Sequence, residues 1–376
     1  MNFESVKPRP ARNTKLTLIL ACSVVASVGM GKIATSAPES VMAKPTMDPV
    51  TGTKYKATAD MATVLTTLKS LNGKPIESLT PSEARQQPTV ADAVKAVLTA
   101  KGKDTDPSKL VPGVTSMDTT IPSAAGALPV RVYTPTGSGP FPVVVYFHGG
   151  GWVIANKEVY DGGARGLSKA SKAVVVSVDY RLAPEAKFPA AWDDALAAYK
   201  YVSMNAAKMH GDPKNLAIAG ESAGGNLAIS TAVSAMAAGL AAPKAVIAVY
   251  PVAQTGNMMT ASYVDSAAAK PLNKAMIGWF VDKLLASPAD KTDPRLDVVH
   301  AKLAGLPPVT IINAQIDPLR SDGEMLEQAL KQAGVTVERK VYSGVAHEFF
   351  GAAAVVKEAQ EAQMFAGEKL KAAFKN

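Results

Sequence analysis

Cysteine and histidine are scarce in this chain: one Cys and four His among 376 residues. The single thiol, Cys22, lies in an N-terminal apolar run, so no disulfide framework is available and the fold has to be held by its core. A chain of this length buries enough surface to fold without staples. No Cys/His cluster has zinc-ligand spacing, so neither a metal nor any other cofactor is expected. No apolar run reaches the roughly 20 residues of a membrane span. About half of the formal charge of +8 lies in residues 1–36, and no basic cluster with interleaved aromatics follows. That argues against nucleic acid as a partner. Charged residues are 19% and apolar residues 47%, a globular rather than a disordered composition.

The first 36 residues read as an export signal. Lys7, Arg9, Arg12 and Lys15 precede the apolar run Leu16 to Met30, and the small residues Ala34-Thr35-Ser36 follow. This order predicts cleavage after Ser36 and a periplasmic or secreted product, with no stable membrane insertion once the signal is gone. The competing reading is an uncleaved N-terminal anchor. Ile19-Leu20-Ala21-Cys22 is only a faint lipoprotein box, because few apolar residues precede the cysteine.

Residues 37–56, rich in Pro, Thr, Lys and Gly, have no period and read as a linker. Helical patterns follow at Ala59–Leu71, after Thr80-Pro81-Ser82-Glu83 (a capping box with Pro at the first helical position), and at Val90–Ala100. From about residue 113 short β-branched runs alternate with helices. The runs are Val130–Tyr133, Val143–Phe147, Val174–Val178, Leu216–Ala219, Ala245–Tyr250, Val309–Ala314 and Val335–Val341. Helices are expected at Gly162–Ala170, Asp193–Asn205, Ala223–Ala238, Asn273–Leu285 and Asp322–Ala333. Val143-Val144-Val145 and Val174-Val175-Val176 are apolar on consecutive positions, as in strands buried on both faces of a parallel sheet. The class is α/β.

Gly220-Glu221-Ser222-Ala223-Gly224-Gly225 stands between the strand Leu216–Ala219 and a helix. In that setting G-x-S-x-G is a nucleophile turn: a sharp strand-to-helix bend lifts the Ser222 hydroxyl to the carboxyl edge of the sheet. Glu221, beside it, faces elsewhere and is read as a structural tie. The strand ending at Phe147 leads into His148-Gly149-Gly150-Gly151-Trp152. Glycines let backbone N–H groups approach a reacting oxygen, so Gly149 and Gly150, with Ala223, are the candidate oxyanion hole. His148, Gly151 and Trp152 support that loop, Trp152 by packing near the pocket wall.

With four histidines the general base is found by elimination. His148 belongs to the glycine loop, His210 sits at a helix end, and His300 lies in a short surface stretch. His347 follows the last strand and remains. The fold that carries G-x-S-x-G in this setting orders its triad as nucleophile, acid, histidine. Asp317, after the strand Val309–Ala314, is therefore the candidate acid, while Asp322 and Glu324 read as acids in the first turn of the next helix.

These residues resemble the hormone-sensitive-lipase-like branch of the α/β hydrolases, the bacterial family IV esterases. The resemblance rests on His148 to Trp152, Asp179-Tyr180-Arg181-Leu182-Ala183-Pro184-Glu185, Phe188-Pro189-Ala190-Ala191, Gly220 to Gly225, Asp317-Pro318-Leu319-Arg320 and His347-Glu348-Phe349-Phe350, with Leu79 to Arg85 upstream. It implies a mostly parallel eight-stranded sheet with helices on both faces and a helical cap. The cap would come from residues 57–110 and an insertion at about 254–295 in the catalytic domain 111–376. It further implies that Tyr180 to Glu185 support the pocket floor. Two departures stand out: the family more often has Asp or Thr at Glu221 and often Gly at Glu348. The expected activity is hydrolysis of short- or medium-chain carboxylic esters, small molecules, with a homodimer left open. Rival readings are an amidase, lactonase or deacetylase on the same residues, or a non-catalytic ligand receptor. Met258, Met259, Met276, Ile277, Trp279 and Phe280 are expected to pack in the cap core, with a share in an acyl pocket.

Overall fold

The computed structural model describes residues 46–375. The expected export segment, Cys22 and the first part of the expected linker lie outside them. One sheet of eight strands organises the chain: β1 Val114–Ser123, β2 Gly126–Pro135, β3 Phe141–Phe147, β4 Val174–Val178, β5 Gly211–Glu221, β6 Val246–Val249, β7 Val309–Ile316 and β8 Val337–Ala346. Their order is β1-β2-β4-β3-β5-β6-β7-β8. The pairs β1/β2 and β2/β4 are antiparallel, and all others are parallel. The α/β-hydrolase sheet expected from the resemblance is present.

The helices in chain order are α1 Ala59–Ser70, α2 Pro81–Ala84, α3 Val90–Ala100, α4 Pro107–Leu110, α5 Asp161–Ser171, α6 Ala190–Asn205, α7 Ala223–Ala237, α8 Ala261–Asp265, α9 Lys274–Leu284, α10 Arg320–Gln332 and α11 Lys357–Ala373. Pleating sends alternate side chains of β3 to opposite layers. Val143 and Val145 join the core beneath α6 and α7, while Val144 and Tyr146 join the one beneath α5 and α11. This explains the unbroken Val runs: both faces of the central strands are covered and there is no wet side to carry polar residues.

The structure departs from the sequence reading in several places. β1 and α11 had no visible pattern. β8 continues past Val341 to Ala346, with Gly344 at φ +67°. The last part of the expected linker, residues 46–56, is folded: Thr51 and Thr53 are fully buried, Thr51 donates its hydroxyl to the Tyr55 carbonyl at 2.7 Å, and Lys270 N–H donates to Thr51 O at 3.0 Å.

Residues 57–110 and the insertion at 254–295 meet beyond the carboxyl edge of the sheet. Trp279 Nε1 of α9 donates to Leu79 O at 3.2 Å, and Asn273 Nδ2 to Glu77 at 3.1 Å. The Thr80–Glu83 capping box forms as the sequence predicts. Arg85, just past α2, makes a two-pronged ion pair with Glu185 at 2.7 and 2.8 Å and donates to Val153 O and Ala183 O. The upstream segment is thus clamped to the loops under it.

Candidate active site

Sheet register assembles the site. Phe147 of β3 pairs with Gly220 of β5, so the glycine loop and Ser222 leave neighbouring strands at the same level. Ile316 of β7 pairs with Ala346 of β8, so Asp317 and His347, the next residues, also emerge side by side. The structure brings the three together: His347 Nε2 is 2.9 Å from Ser222 Oγ, and His347 Nδ1 is 2.7 Å from Asp317 Oδ2. For the serine O–H to donate to Nε2, the ring proton must sit on Nδ1 and be donated to Asp317. The other Asp317 oxygen accepts the Leu319 N–H at 2.8 Å, which fixes the carboxylate. All three residues are buried.

Ser222 has φ 57°, ψ −116°, a strained conformation for a residue with a side chain. Neighbours hold it: Ser222 N–H donates to Val249 O at 2.8 Å, and Ser222 O accepts from Val252 N–H and Asn226 N–H, both at 3.2 Å. A Cβ at Gly224 would run into the Phe147 carbonyl, which is why the turn has a glycine there. Gly150, at φ +99°, is held to glycine in the same way, since its Cβ would strike Ile154 O. Among the described residues no hydrogen bond engages the N–H groups of Gly149, Gly150 or Ala223. These are the donors an oxyanion would need.

The loop carrying those glycines is buttressed. His148 stacks on Tyr180 with ring centroids 4.3 Å apart, its Nδ1 lies 2.7 Å from Gly149 O, and Tyr180 Oη donates to His148 O at 2.8 Å. Burial pushes the His148 imidazolium below its ordinary value against the pull of Asp179, so the ring is neutral at pH 7. Trp152 is buried against Trp192, centroids 5.3 Å apart, and its carbonyl accepts the Ala183 N–H at 2.8 Å. Gly151 has no room for a Cβ because Phe280 of α9 packs on it. Tyr180 to Glu185 therefore lie under the loop, as the resemblance implied.

His347 is subject to two opposed effects. Burial, the largest single effect, disfavours its cation, but the adjacent Asp317 carboxylate together with Glu348 and Glu221 favours it more, so the imidazole sits above its ordinary 6.5. Glu221 does not take part in this line. Tyr146 and Tyr250 both donate their hydroxyls to its carboxylate. Burial outweighs those bonds and raises its carboxyl to about 7. The Tyr250 ring in turn lies 4.4 Å from the His347 ring, centroid to centroid. None of the three supporting tyrosines, Tyr146, Tyr160 and Tyr250, was singled out from sequence. Each reads as one more aromatic at a strand end or helix start.

The rival acids take other places. Asp322 stands in the first turn of α10, as expected, but its carboxyl is engaged elsewhere. It is fully buried, accepts the Ala253 N–H at 2.9 Å and the Gln254 N–H at 3.4 Å, and burial raises it to about 7. It ties down the loop after β6. Glu324 is exposed. His210 ends the short helix Ala206–Met209 in a left-handed conformation, and the His300 side chain is 77% exposed and bonded to Asp297. Of the expected cap stripe, Ile277 and Phe280 are buried, and Met258, Met276 and Trp279 are partly so. Met259 is 71% exposed and lies outside the core, its sulfur meeting only Lys274 Nζ at 3.2 Å.

Among the described residues no group of three His, Cys, Asp or Glu could hold a metal ion, and no helix is long and apolar enough to cross a membrane. Comparison with known proteins agrees with the geometry. Residues 144–351 match the family model described as alpha/beta hydrolase fold. The carboxylesterase NlhH of Mycobacterium tuberculosis is 37% identical over 282 residues, 73% of this chain and 88% of that protein. An ethyl acetate hydrolase of Pseudomonas putida is 32% identical over 302 residues, 79% of this chain and 91% of that one. The solved hyperthermophilic esterase of the archaeon Pyrobaculum calidifontis superposes with a TM-score of 0.75 at 33% identity, covering 85% of this chain and 98% of the other. A strained serine on a parallel sheet, matched over most of the chain by ester hydrolases, makes this protein a member of the hormone-sensitive-lipase-like branch of the α/β-hydrolase family and an ester-hydrolysing enzyme.

Proposed function

We propose that Ser222, His347 and Asp317 form the catalytic triad of a serine carboxylesterase acting on short- to medium-chain esters through an acyl-enzyme. The observation that carries this is the unbroken line from Ser222 Oγ through His347 to Asp317, with spans of 2.9 and 2.7 Å. Ser222 Oγ attacks the ester carbonyl carbon while His347 Nε2 takes its proton. The carbonyl oxygen becomes an oxyanion against the N–H groups of Gly149, Gly150 and Ala223. His347 then gives the proton to the leaving alcohol oxygen as the C–O bond breaks, and the same nitrogen deprotonates the water that releases the acid. Asp317 holds the imidazole in the required tautomer and stabilises the imidazolium.

The relatives' names support the ester bond as substrate, and the short-chain preference rests on the cap segments over the site. An active-site phosphonate tests the reading. It should label Ser222 in the parent protein, label nothing in Ser222→Ala, and abolish turnover of a graded series of acyl esters. Turnover that survives full labelling would overturn it. We propose further that the enzyme is exported and begins near residue 37, on the basic, apolar and small-residue order of its first 36 residues. Mass spectrometry of the protein from its native envelope checks this: an intact Met1 would favour an anchor.

A further inference from the structure

A cavity of about 260 Å³ lies against the site without containing any triad residue. One wall is apolar, from Val90, Val94 and Leu98 of α3, and the floor is Tyr160, Glu221 and Glu348. Glu221 and Glu348 are the chain neighbours of Ser222 and His347, so the floor stands one residue away from the reacting groups. Lys95 and Glu158, also on its lining, are exposed, so the cavity reaches solvent. Its volume is just under the roughly 300–1,000 Å³ of ordinary small-molecule sites.

Glu348 and Tyr160 separate this space from the triad. Tyr160 Oη donates to Glu348 Oε1 at 3.2 Å and presses on Gly149 so closely that a Cβ there would collide with it. The Tyr160 ring lies 5.9 Å from the His148 ring, centroid to centroid. The Glu348 backbone has φ 65°, the left-handed region where glycine is at ease and a side chain is strained. Its carboxyl has no cationic partner among the described residues. A long acidic side chain therefore occupies a position where the backbone favours none, and it closes one end of a pocket whose α3 wall is apolar and whose remaining lining includes Arg131, Asp161 and Arg165.

We infer that Glu348 determines substrate specificity: with Tyr160 it partitions the α3 cavity from Ser222 and so limits the length of one arm of the ester. This rests on the Ser222 reading above. Without the Glu348 side chain the cavity and the site become continuous, and a longer hydrocarbon arm gains the apolar wall of α3.

The test measures kcat/KM for two series, p-nitrophenyl esters from acetate to decanoate and acetates of alcohols of graded length. Glu348→Gly and Glu348→Ala should raise the ratio of long to short substrate at least about tenfold in one series, the scale of one or two methylenes in an apolar pocket. Glu348→Gln keeps the partition and should leave the ratio within about twofold of the parent. Adding Val94→Trp to Glu348→Gly refills the cavity and should cancel the gain, whereas Val94→Trp alone should leave the parent's ratio unchanged. An unchanged ratio in both Glu348→Gly and Glu348→Ala, with acetate still hydrolysed, overturns the inference. So does a loss of long-ester turnover from Val94→Trp alone, since the cavity would then already be in use. Ser222→Ala runs beside them: turnover surviving in it refutes the Ser222 reading, whatever the length profile shows.

Discussion

Two buried carboxyl groups, Asp317 beside His347 and Glu221 beside Ser222, differ in what faces them. Asp317 meets an imidazole, His347 Nδ1, at 2.7 Å. Glu221 meets two phenols, Tyr146 and Tyr250. Both are cut off from water. In the proposed mechanism the imidazole becomes a cation when the serine proton arrives, and the Asp317 carboxylate stabilises that cation. The phenols can only donate neutral hydrogen bonds, so burial prevails and Glu221 is raised to about 7. Burial beside a nucleophile does not make an acid catalytic. The partner that can change its charge during the reaction does.

The largest effects should fall on the first of these regions. Ser222→Ala and His347→Ala should each lower kcat by about 10⁶, because either one removes the attack step. Asp317→Asn should cost about 10⁴, since Asn favours the wrong tautomer and cannot stabilise the imidazolium. The pH dependence sharpens this. His347 works as a base only when neutral, and Asp317 holds it above its ordinary 6.5, so kcat/KM should rise with pH through a midpoint above 6.5. In Asp317→Asn that midpoint should fall, because burial is then opposed only by the more distant Glu348 and Glu221. A midpoint that does not move would break the pairing of His347 with Asp317.

Glu221→Gln and Asp322→Asn should keep activity within about tenfold, far above the roughly 10³-fold losses of residues that stabilise a transition state directly. Their effect belongs to stability. Glu221 titrates near 7 when folded against an ordinary 4.5. Between about pH 4.5 and 7 the folded protein holds a proton that the unfolded chain has released, so stability falls as pH rises through that window. Melting temperature against pH should show a shallower fall in Glu221→Gln than in the parent. If Glu221→Gln is inactive while Asp317→Asn survives, the contrast between the two regions collapses. The smallest effect is expected at His300→Ala, whose exposed ring bonds only to Asp297. Its rate and melting temperature should stay close to the parent's.

What could be read from the sequence follows from how each feature is built. The central strands announce themselves through Val143 to Phe147 and Val174 to Val178, because both faces need apolar side chains. β1 does not: of its ten residues only Val114 and Ile121 are buried, so it carries almost no hydrophobic signal. α11 buries Ala359, Ala362, Gln363, Ala366, Gly367 and Leu370, a face with one large apolar side chain and otherwise small or polar residues, which draws no apolar stripe. Ser222 and the glycine loop are local motifs and stand out at once. The roles of Tyr146, Tyr160, Tyr250 and Asp322 depend on strand order and on the loop after β6, which bring distant segments together. Position in a helix placed Asp322 correctly at the start of α10, but its burial depends on residues 253 and 254, about seventy positions earlier in the chain.

The backbone bonds of Ser222 carry a consequence for how the enzyme fails. Its N–H belongs to the end of the β6 ladder and its carbonyl receives the N–H of Val252, so the nucleophile turn is stitched into the middle strands of the sheet. Such a turn cannot fray by itself. Its amide should exchange with deuterium only as slowly as the slowest amides of β5 and β6, through openings that dismantle the sheet. On heating, hydrolysis should then disappear together with the sheet and not before it.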